Sequence, residues 1–475
     1  MKGSHNIRGF DEWWKFFCHH FSDLHSLNSG YLAMTRYLSA ILDKVSVACS
    51  EENLANRYCE ISPSSDRNDT RGENILFIPI IATSYCLGSC LKVANEVAKI
   101  EPEARIFFLK SFGDNPRELD SFCILDWRRH LKCSFYGLKH FKAGISFFRA
   151  YEDRVLSIPE CRTGLKVLWG RSWKWKLRLR SLSLGMEIAL AAKWLVEHRI
   201  GVVLTINDVV KPSAPFIAAA RMHGVHTVLM QHGTPGPHNA PFAAAEFWSW
   251  GQSSTRMLKK FGADSSRIVN LGNLETEMAG KRFSGMTSSG APRILVLLQW
   301  TGAAVWEDLV YKEIVLHVGT SIREVAPDWI LHIRSHPRDH PDIVRECRET
   351  VSGYLQDLNV VYEYSAEGAT VEDDVSLATA VITVNSSALA HAISQGIPHL
   401  QYLPTRLEQR IGTAFVSPEF IARDEDDLRR WLASTVKGEV PTQDSVEKAI
   451  ANHGSAITLA AERLRKYLGN ARGEG

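Results

Sequence analysis

Several short stretches of this chain end apolar runs with side chains that could move a proton or hold an anion. Gln231-His232-Gly233-Thr234-Pro235 closes one such run with an imidazole, which gains and loses protons near neutral pH. Gly233 would let the backbone bend at that exit. Arg334-Ser335-His336-Pro337 closes another, with a guanidinium fork and an imidazole N–H, both suited to phosphate oxygens. Pro337 would stop the strand there. Asn385-Ser386-Ser387 puts a carboxamide and two hydroxyls before a helix-length segment. Those hydroxyls can cap the helix, bind phosphate, or do both. Asp208 follows a further run, beside Asn207. The plainer readings are a structural histidine at 232, a solvated loop carboxylate at 208, and a His-Pro pair that only ends a strand.

Such side chains act together only if the elements before them converge. Apolar runs over 75–81, 104–109, 202–206, 227–230, 248–251 and 268–272 read as strands, with predicted helices over 87–99 and 214–223 between them. A second series follows, with predicted strands over 294–298, 329–333, 360–362 and 380–384. Alternating strands and helices imply parallel sheets, in which ligands bind beyond the carboxyl ends of the strands. The polar stretches above occupy those ends. The expected organisation is a helical N-terminal extension (1–72) and a Rossmann-like domain (73–273), then a Gly/Ser-rich linker (274–292). A second Rossmann-like domain (293–440) and a C-terminal segment (441–475), helical over 445–468, complete it.

Composition narrows the classes. At 475 residues the chain is long enough for two domains of ordinary size. A formal net charge of +2 excludes a strongly basic nucleic-acid binder as the default. Nine scattered cysteines form no disulfide framework and no zinc pattern, which points to reduced thiols in a cytoplasm. The first eleven residues lack the apolar core of a signal peptide. The most apolar run, 75–81, is far shorter than the roughly 20 residues of a spanning helix.

Two stretches have two or more open readings. Gln299-Trp300-Thr301-Gly302-Ala303 leads from a strand into a helix; its small residues either present N–H groups to an anion or make an ordinary turn. The stretch 166–180 sets Lys166, Arg171, Lys174, Lys176, Arg178 and Arg180 among Trp169, Trp173 and Trp175. That mixture suits an anionic membrane surface, a lipid-linked acidic glycan, stacking with single-stranded nucleic acid, or a solvated basic face. The pair Asp373-Asp374 reads as a helix start.

Gln231-His-Gly-Thr-Pro, Arg334-x-His-Pro and Ser386-Ser387, with a following helix ending at Gly396-x-Pro398, resemble the GT-B glycosyltransferases of bacterial surface polysaccharides. The nearest groups are capsule polysaccharide proteins of the Kdo and sialic-acid type. The CDP-glycerol glycerophosphotransferases are similar at the same motifs. The resemblance covers roughly residues 200–400 and implies an α/β, GT-B architecture with two Rossmann-like domains facing across a cleft. It implies that Arg334, His336, Ser386 and Ser387 hold the donor nucleotide. Thr301, Gly302, Pro337 and Asn385 line the same loops.

A transferase needs a base for the acceptor hydroxyl, and His232 and Asp208 are the two candidates. The phosphotransferase resemblance favours His232; retaining Kdo-type enzymes, with a carboxylate nucleophile, favour Asp208. Gln231, Gly233 and the stretch Thr83–Gly88 are the acceptor-side candidates. That stretch, with Ser84 and Gly88, resembles the glycine-bearing acceptor loop of the fold, although a plain turn explains it equally. Ala390-His391 occupies the place where many relatives carry an acid, a departure that bears on how ribose or base is read.

The expected activity is transfer of a sugar, such as a CMP-activated acid sugar, from a nucleotide donor to a growing glycan or lipid-linked glycan. No cofactor and no metal are expected, because protein donors can stabilise the leaving phosphate. Residues 166–180 would meet the inner membrane surface, and no nucleic-acid partner is expected. A CDP-alditol phosphotransferase and a catalytically silent polysaccharide-binding scaffold are the alternatives.

Overall fold

The computed structural model describes residues 72–79, 84–110, 119, 121–126, 170–208, 212–235, 239–240, 242–277, 291–298, 308–336, 341–405, 416–439 and 447–472. The predicted N-terminal extension therefore lies outside the described residues, apart from Gly72.

The first domain contains β1 (Asn74–Ile78), α1 (Ser84–Ile100), β2 (Ile106–Lys110), β3 (Cys123–Asp126) and α2 (Trp173–Glu197). It continues with β4 (Ile200–Thr205), α3 (Ser213–Met222), β5 (His226–Met230), β6 (Glu246–Ser249), α4 (Gln252–Lys260) and β7 (Ile268–Asn270). Its strands lie in the order β3-β2-β1-β4-β5-β6-β7, and each neighbouring pair is parallel. All six residues of β4 are buried, because helices cover both faces of the sheet. That explains why the strand is a continuous apolar run rather than an alternating one.

The second domain contains β8 (Arg293–Leu297), α5 (Asp308–Val325), β9 (Ile330–Arg334), α6 (Pro341–Asp357), β10 (Tyr362–Tyr364) and α7 (Val371–Leu377). β11 (Ala380–Thr383), α8 (Leu389–Ser394), β12 (His399–Tyr402), β13 (Ile421–Ala422) and α9 (Glu425–Val436) follow. The strand order is β10-β9-β8-β11-β12-β13, again parallel throughout.

In each sheet the order reverses once, between β1 and β4 and between β8 and β11. These are the points at which an open α/β sheet leaves a crevice beyond its strand ends. The exits of β4 and β5 lie side by side in the first sheet, as do those of β9, β8 and β11 in the second.

The predicted helix over 445–468 is interrupted. A turn over 450–455, with Asn452 at φ 51° and Gly454 at φ 87°, precedes α10 (Ala456–Arg472). This terminal helix joins the first domain, not the second. Ala456, Ala460, Ala461, Leu464 and Leu468 are buried in the same core as β1, α1 and β4.

Two glycines admit the returning segment. A Cβ at Gly251 would lie 2.7 Å from the Ala449 carbonyl oxygen, and one at Gly272 (φ +115°) would lie 2.4 Å from that of Ala451. Polar contacts fix the helix beyond. Arg463 Nε donates to Glu246 Oε1 at 2.6 Å, and the Tyr467 hydroxyl donates to Glu246 Oε2 at 2.5 Å. Burial alone would raise the Glu246 pKa, but the bonds from Arg463, Tyr467 and Trp248 outweigh it and hold the carboxyl below its usual range.

Candidate active site at the strand exits

The first domain contributes two neighbouring exits. Thr205, the last residue of β4, shares a 2.7 Å hydrogen bond with Ser213 Oγ and donates to Asn207 O at 2.9 Å, which shapes the turn into α3. Asp208 in this turn is only 2% exposed, so the solvated-loop reading fails. Its Oδ2 accepts the Ala243 N–H at 2.5 Å, which ties the β4 exit to the segment before β6.

At the β5 exit, Gln231 is buried and braces the turn. Its Nε2 donates to Gly233 O at 2.9 Å and to Ser254 Oγ at 3.0 Å, while Oε1 accepts the Trp250 N–H at 2.8 Å. The carboxamide predicted to meet an acceptor is thus engaged within the protein. Gly233 is outside the left-handed region, so the bend does not require glycine. A Cβ there would meet nothing within 4 Å, so the space beside it is open. His232 lies between these two residues, half-buried. Thr234 Oγ1 is buried without a hydrogen-bond partner. Thr234 lies within the Gln231–Pro235 motif but has none of the roles expected from the sequence.

The β1 exit differs from expectation. Ser84 to Gly88 belong to α1 rather than to an acceptor loop. Leu87, Cys90, Ala94 and Val97 form one buried helical stripe, and helix propagates back from it to Ser84. A Cβ at Gly88 would meet nothing within 4 Å, so no close approach demands glycine there either. The Ser84 side chain lies outside the described residues.

In the second domain the β9 exit is held by a buried ionic chain. Arg334 Nη1 donates to Asp374 and, at 3.0 Å, to Thr370 O; Nη2 donates to Ala369 O at 2.9 Å. The fork predicted to grip phosphate therefore holds the loop before α7. Asp374 also accepts the Ser365 hydroxyl at 2.7 Å and lies 3.1 Å from His332 Nε2. His332 Nδ1 lies 2.8 Å from Glu363, which accepts Arg293 Nε at 3.0 Å. Burial pushes the Glu363 carboxyl up, but the bonds from His332 and Arg293 win and lower its pKa.

The helix start expected at Asp373-Asp374 is present as a capping box between Thr370 and Asp373. The contacts of Asp374 with Arg334, Ser365 and His332 are what sequence reasoning missed in that pair. His336, two residues beyond Arg334, is half-buried beside Ser335. Pro337, Thr301 and Gly302 lie outside the described residues.

At the β11 exit, Thr383 Oγ1 donates to Leu297 O at 2.8 Å and accepts the Ser386 N–H at 3.1 Å. Ser386 Oγ accepts the Ala388 N–H at 3.3 Å. The expected cap is thus reduced to this one long bond, with Ala388 itself in the N-cap position of α8. Asn385 Oδ1 is buried without a partner, like Thr234 Oγ1 in the other domain. Buried polar atoms are satisfied in the great majority of cases, and these two have bonding capacity left over. As an acceptor, Asn385 Oδ1 suits a ligand hydroxyl or N–H better than a phosphate oxygen.

The basic stretch is partly described. Arg171 and Lys174 are exposed where α2 begins, and Trp175 and Leu179 are 61% and 50% exposed. Among the described residues no helix is long and apolar enough to cross a membrane.

No protein-family model matches this chain, and no curated protein sequence matches it. Solved structures do. A glycosyltransferase from Rickettsia africae aligns with a TM-score of 0.50 at 10% identity, over 85% of this chain and 100% of that one. The apo lipopolysaccharide outer core galactosyltransferase WaaB aligns with a TM-score of 0.49 at 13% identity, over 84% and 99%. UDP-GlcNAc 2-epimerase from Neisseria meningitidis, bound to UDP-GlcNAc, gives 0.45 at 12% identity, over 83% and 100%. At such identities the likeness is one of fold. Two parallel, Rossmann-like sheet domains constitute the GT-B architecture.

Proposed function

We propose that the chain is a nucleotide-sugar glycosyltransferase of surface glycan synthesis. The second domain holds the donor through His336, Asn385, Ser386 and Ser387, and the first receives the acceptor beside His232 and Thr234. The observation that carries this reading is the pair of orphaned polar atoms, Thr234 Oγ1 and Asn385 Oδ1, one at a strand exit of each domain. Both lie in the motifs that resemble the capsule-type transferases.

In this reaction the acceptor oxygen attacks the anomeric carbon while the bond from that carbon to the donor phosphate breaks. His232 takes the acceptor proton, and the nucleotide leaves with the bonding electrons. Asp208, with one oxygen already on a backbone N–H, serves better as a brace of the turn than as a nucleophile.

The capsule-type resemblance favours a CMP-activated acid sugar such as Kdo as donor. The exposed Trp175, Leu179, Arg171 and Lys174 support contact with an anionic membrane surface, where a lipid-linked acceptor would be presented.

Incubation with CMP-, CDP-, UDP- and GDP-linked donors, with detection of the released nucleotide and the product, tests the proposal. Sugar transfer supports it. Transfer of an alditol phosphate with release of CMP would instead identify a CDP-alditol phosphotransferase, and neither turnover nor nucleotide binding would indicate a silent scaffold.

A further inference from the structure

Where the two domains meet, three potential metal ligands converge from distant parts of the chain. Glu275 follows β7 at the end of the first domain; Glu372 lies in α7 and His391 in α8 of the second. One donor atom from each lies within 4.8 Å of the other two. The His391 side chain is 6% exposed, yet neither ring nitrogen has a hydrogen bond to any described residue. Nε2 lies 3.9 Å from Glu275 Oε1, and Nδ1 lies 3.6 Å from Glu372 Oε1, both beyond hydrogen-bond reach. A buried imidazole aimed between two carboxylates without a bond to either is an incomplete arrangement.

The charges point the same way. Lys92, on α1, donates its ammonium to Glu275 O at 2.7 Å and interacts electrostatically with Glu275, Glu277 and Glu372. One ammonium therefore faces three carboxyl groups beside the imidazole. Burial first, and Glu372 second, push the Glu275 pKa up to about 8. Burial also lowers the His391 pKa, Glu372 and Lys92 acting in opposite directions after it.

We propose that Glu275, Glu372 and His391 bind a divalent first-row transition cation that pins the two domains together. One nitrogen and two oxygens form a donor set suited to Zn²⁺ or Mn²⁺. Such ions hold N and O ligands at about 2.0–2.2 Å, so the widest spacing here must shorten by roughly half an ångström or more. Glu372 has the freedom to close it, because its side chain is 50% exposed. The site has no part in the transfer chemistry and stands independently of the proposed activity. Its position gives it a bearing on the donor loops all the same: His391 lies four residues after Ser387, and Glu372 two residues before Asp374.

Calorimetric titration of the EDTA-stripped full-length protein with ZnCl₂ and with MnCl₂ tests the site. One cation per chain is expected for at least one of the two metals. Glu275→Gln, Glu372→Gln and His391→Gln should each weaken binding at least tenfold. Glu372→Gln, at a half-exposed position, separates loss of a ligand from loss of the fold. Repeating the titration at pH 7 in two buffers of different ionisation enthalpy should show about one proton released on binding, and none from Glu275→Gln. Absence of stoichiometric uptake of either metal by the wild-type protein would overturn the proposal, as would unchanged affinity in Glu372→Gln and His391→Gln. In either case the cluster would hold a proton only.

Discussion

Arg334 and Asp374 form an ion pair at the exit of β9, with side chains 16% and 4% exposed. The arginine that sequence alone offers as a phosphate fork instead fixes the loop leading into α7. Asp374→Asn would leave a largely buried guanidinium facing a neutral amide and would loosen the contact with His332. The expected loss of stability is about 3–5 kcal/mol, the usual cost of breaking a buried pair by removing one partner. Urea unfolding checks it, and a change under 1 kcal/mol would show that the chain of contacts carries little of the domain's stability.

Asn385→Ala removes an atom that bonds nothing in the protein, so its melting temperature should stay close to wild type. Nucleotide affinity should fall roughly tenfold, about the contribution of one hydrogen bond to a ligand. Calorimetry with CMP, CDP and UDP measures this. Unchanged affinity for whichever nucleotide binds would remove Asn385 from the donor site.

His232 and Asp208 should separate by kind of effect. His232→Ala is expected to lower kcat by a factor of about 10²–10⁴ with donor affinity preserved, as for loss of a general base. Asp208→Asn should act mainly on stability, because its oxygen accepts the Ala243 N–H. A full loss of kcat in Asp208→Asn with an unaltered unfolding midpoint would exchange the two roles.

Glu275 should make stability pH-dependent in the presence of chelator. Its folded pKa of about 8 lies above the ordinary value of 4.5, so the folded state binds the proton more tightly. Stability is therefore complete below about pH 4.5 and declines as pH rises through 8. Glu275→Gln should remove this decline, gaining on the order of 2–4 kcal/mol at pH 9 and little at pH 5. Parallel denaturation curves for both proteins at the two pH values decide it.

Arg463→Ala should destabilise the first domain, although the residue lies near the end of the chain. It would remove the cation that pairs with Glu246, whose side chain is 11% exposed, at a cost of about 1–3 kcal/mol. The lowered Glu246 pKa means that this contribution exists above the ordinary carboxyl value and fades as pH falls through the folded one. At pH 3 the variant and wild type should therefore differ less than at pH 7.

The fold was legible wherever burial on both faces made a strand continuously apolar, as in Ile200–Thr205 and Arg293–Leu297. It was less so where a polar residue belonged to a strand. β6 begins at Glu246, two residues before the predicted start, because Arg463 and Tyr467 neutralise that carboxylate from the far end of the sequence. β13 is two residues long and left no periodic signal.

Candidate site positions could be read because each follows a strand. The commitments of their side chains could not. Gln231 is satisfied by Trp250 and Ser254, and Arg334 by Asp374, partners separated from them along the chain and brought close only by folding. The cluster of Glu275, Glu372 and His391 was hidden for the same reason.

The return of α10 to the first domain has a consequence for biosynthesis. A ribosome delivers residues 456–472 after every strand of both sheets, yet these residues close the core around β1, α1 and β4. In the second domain, whose strands span residues 293–422, one core cluster is made entirely of residues before 433. Completion of the first core therefore awaits α10, although every strand of that domain is made before the second domain begins.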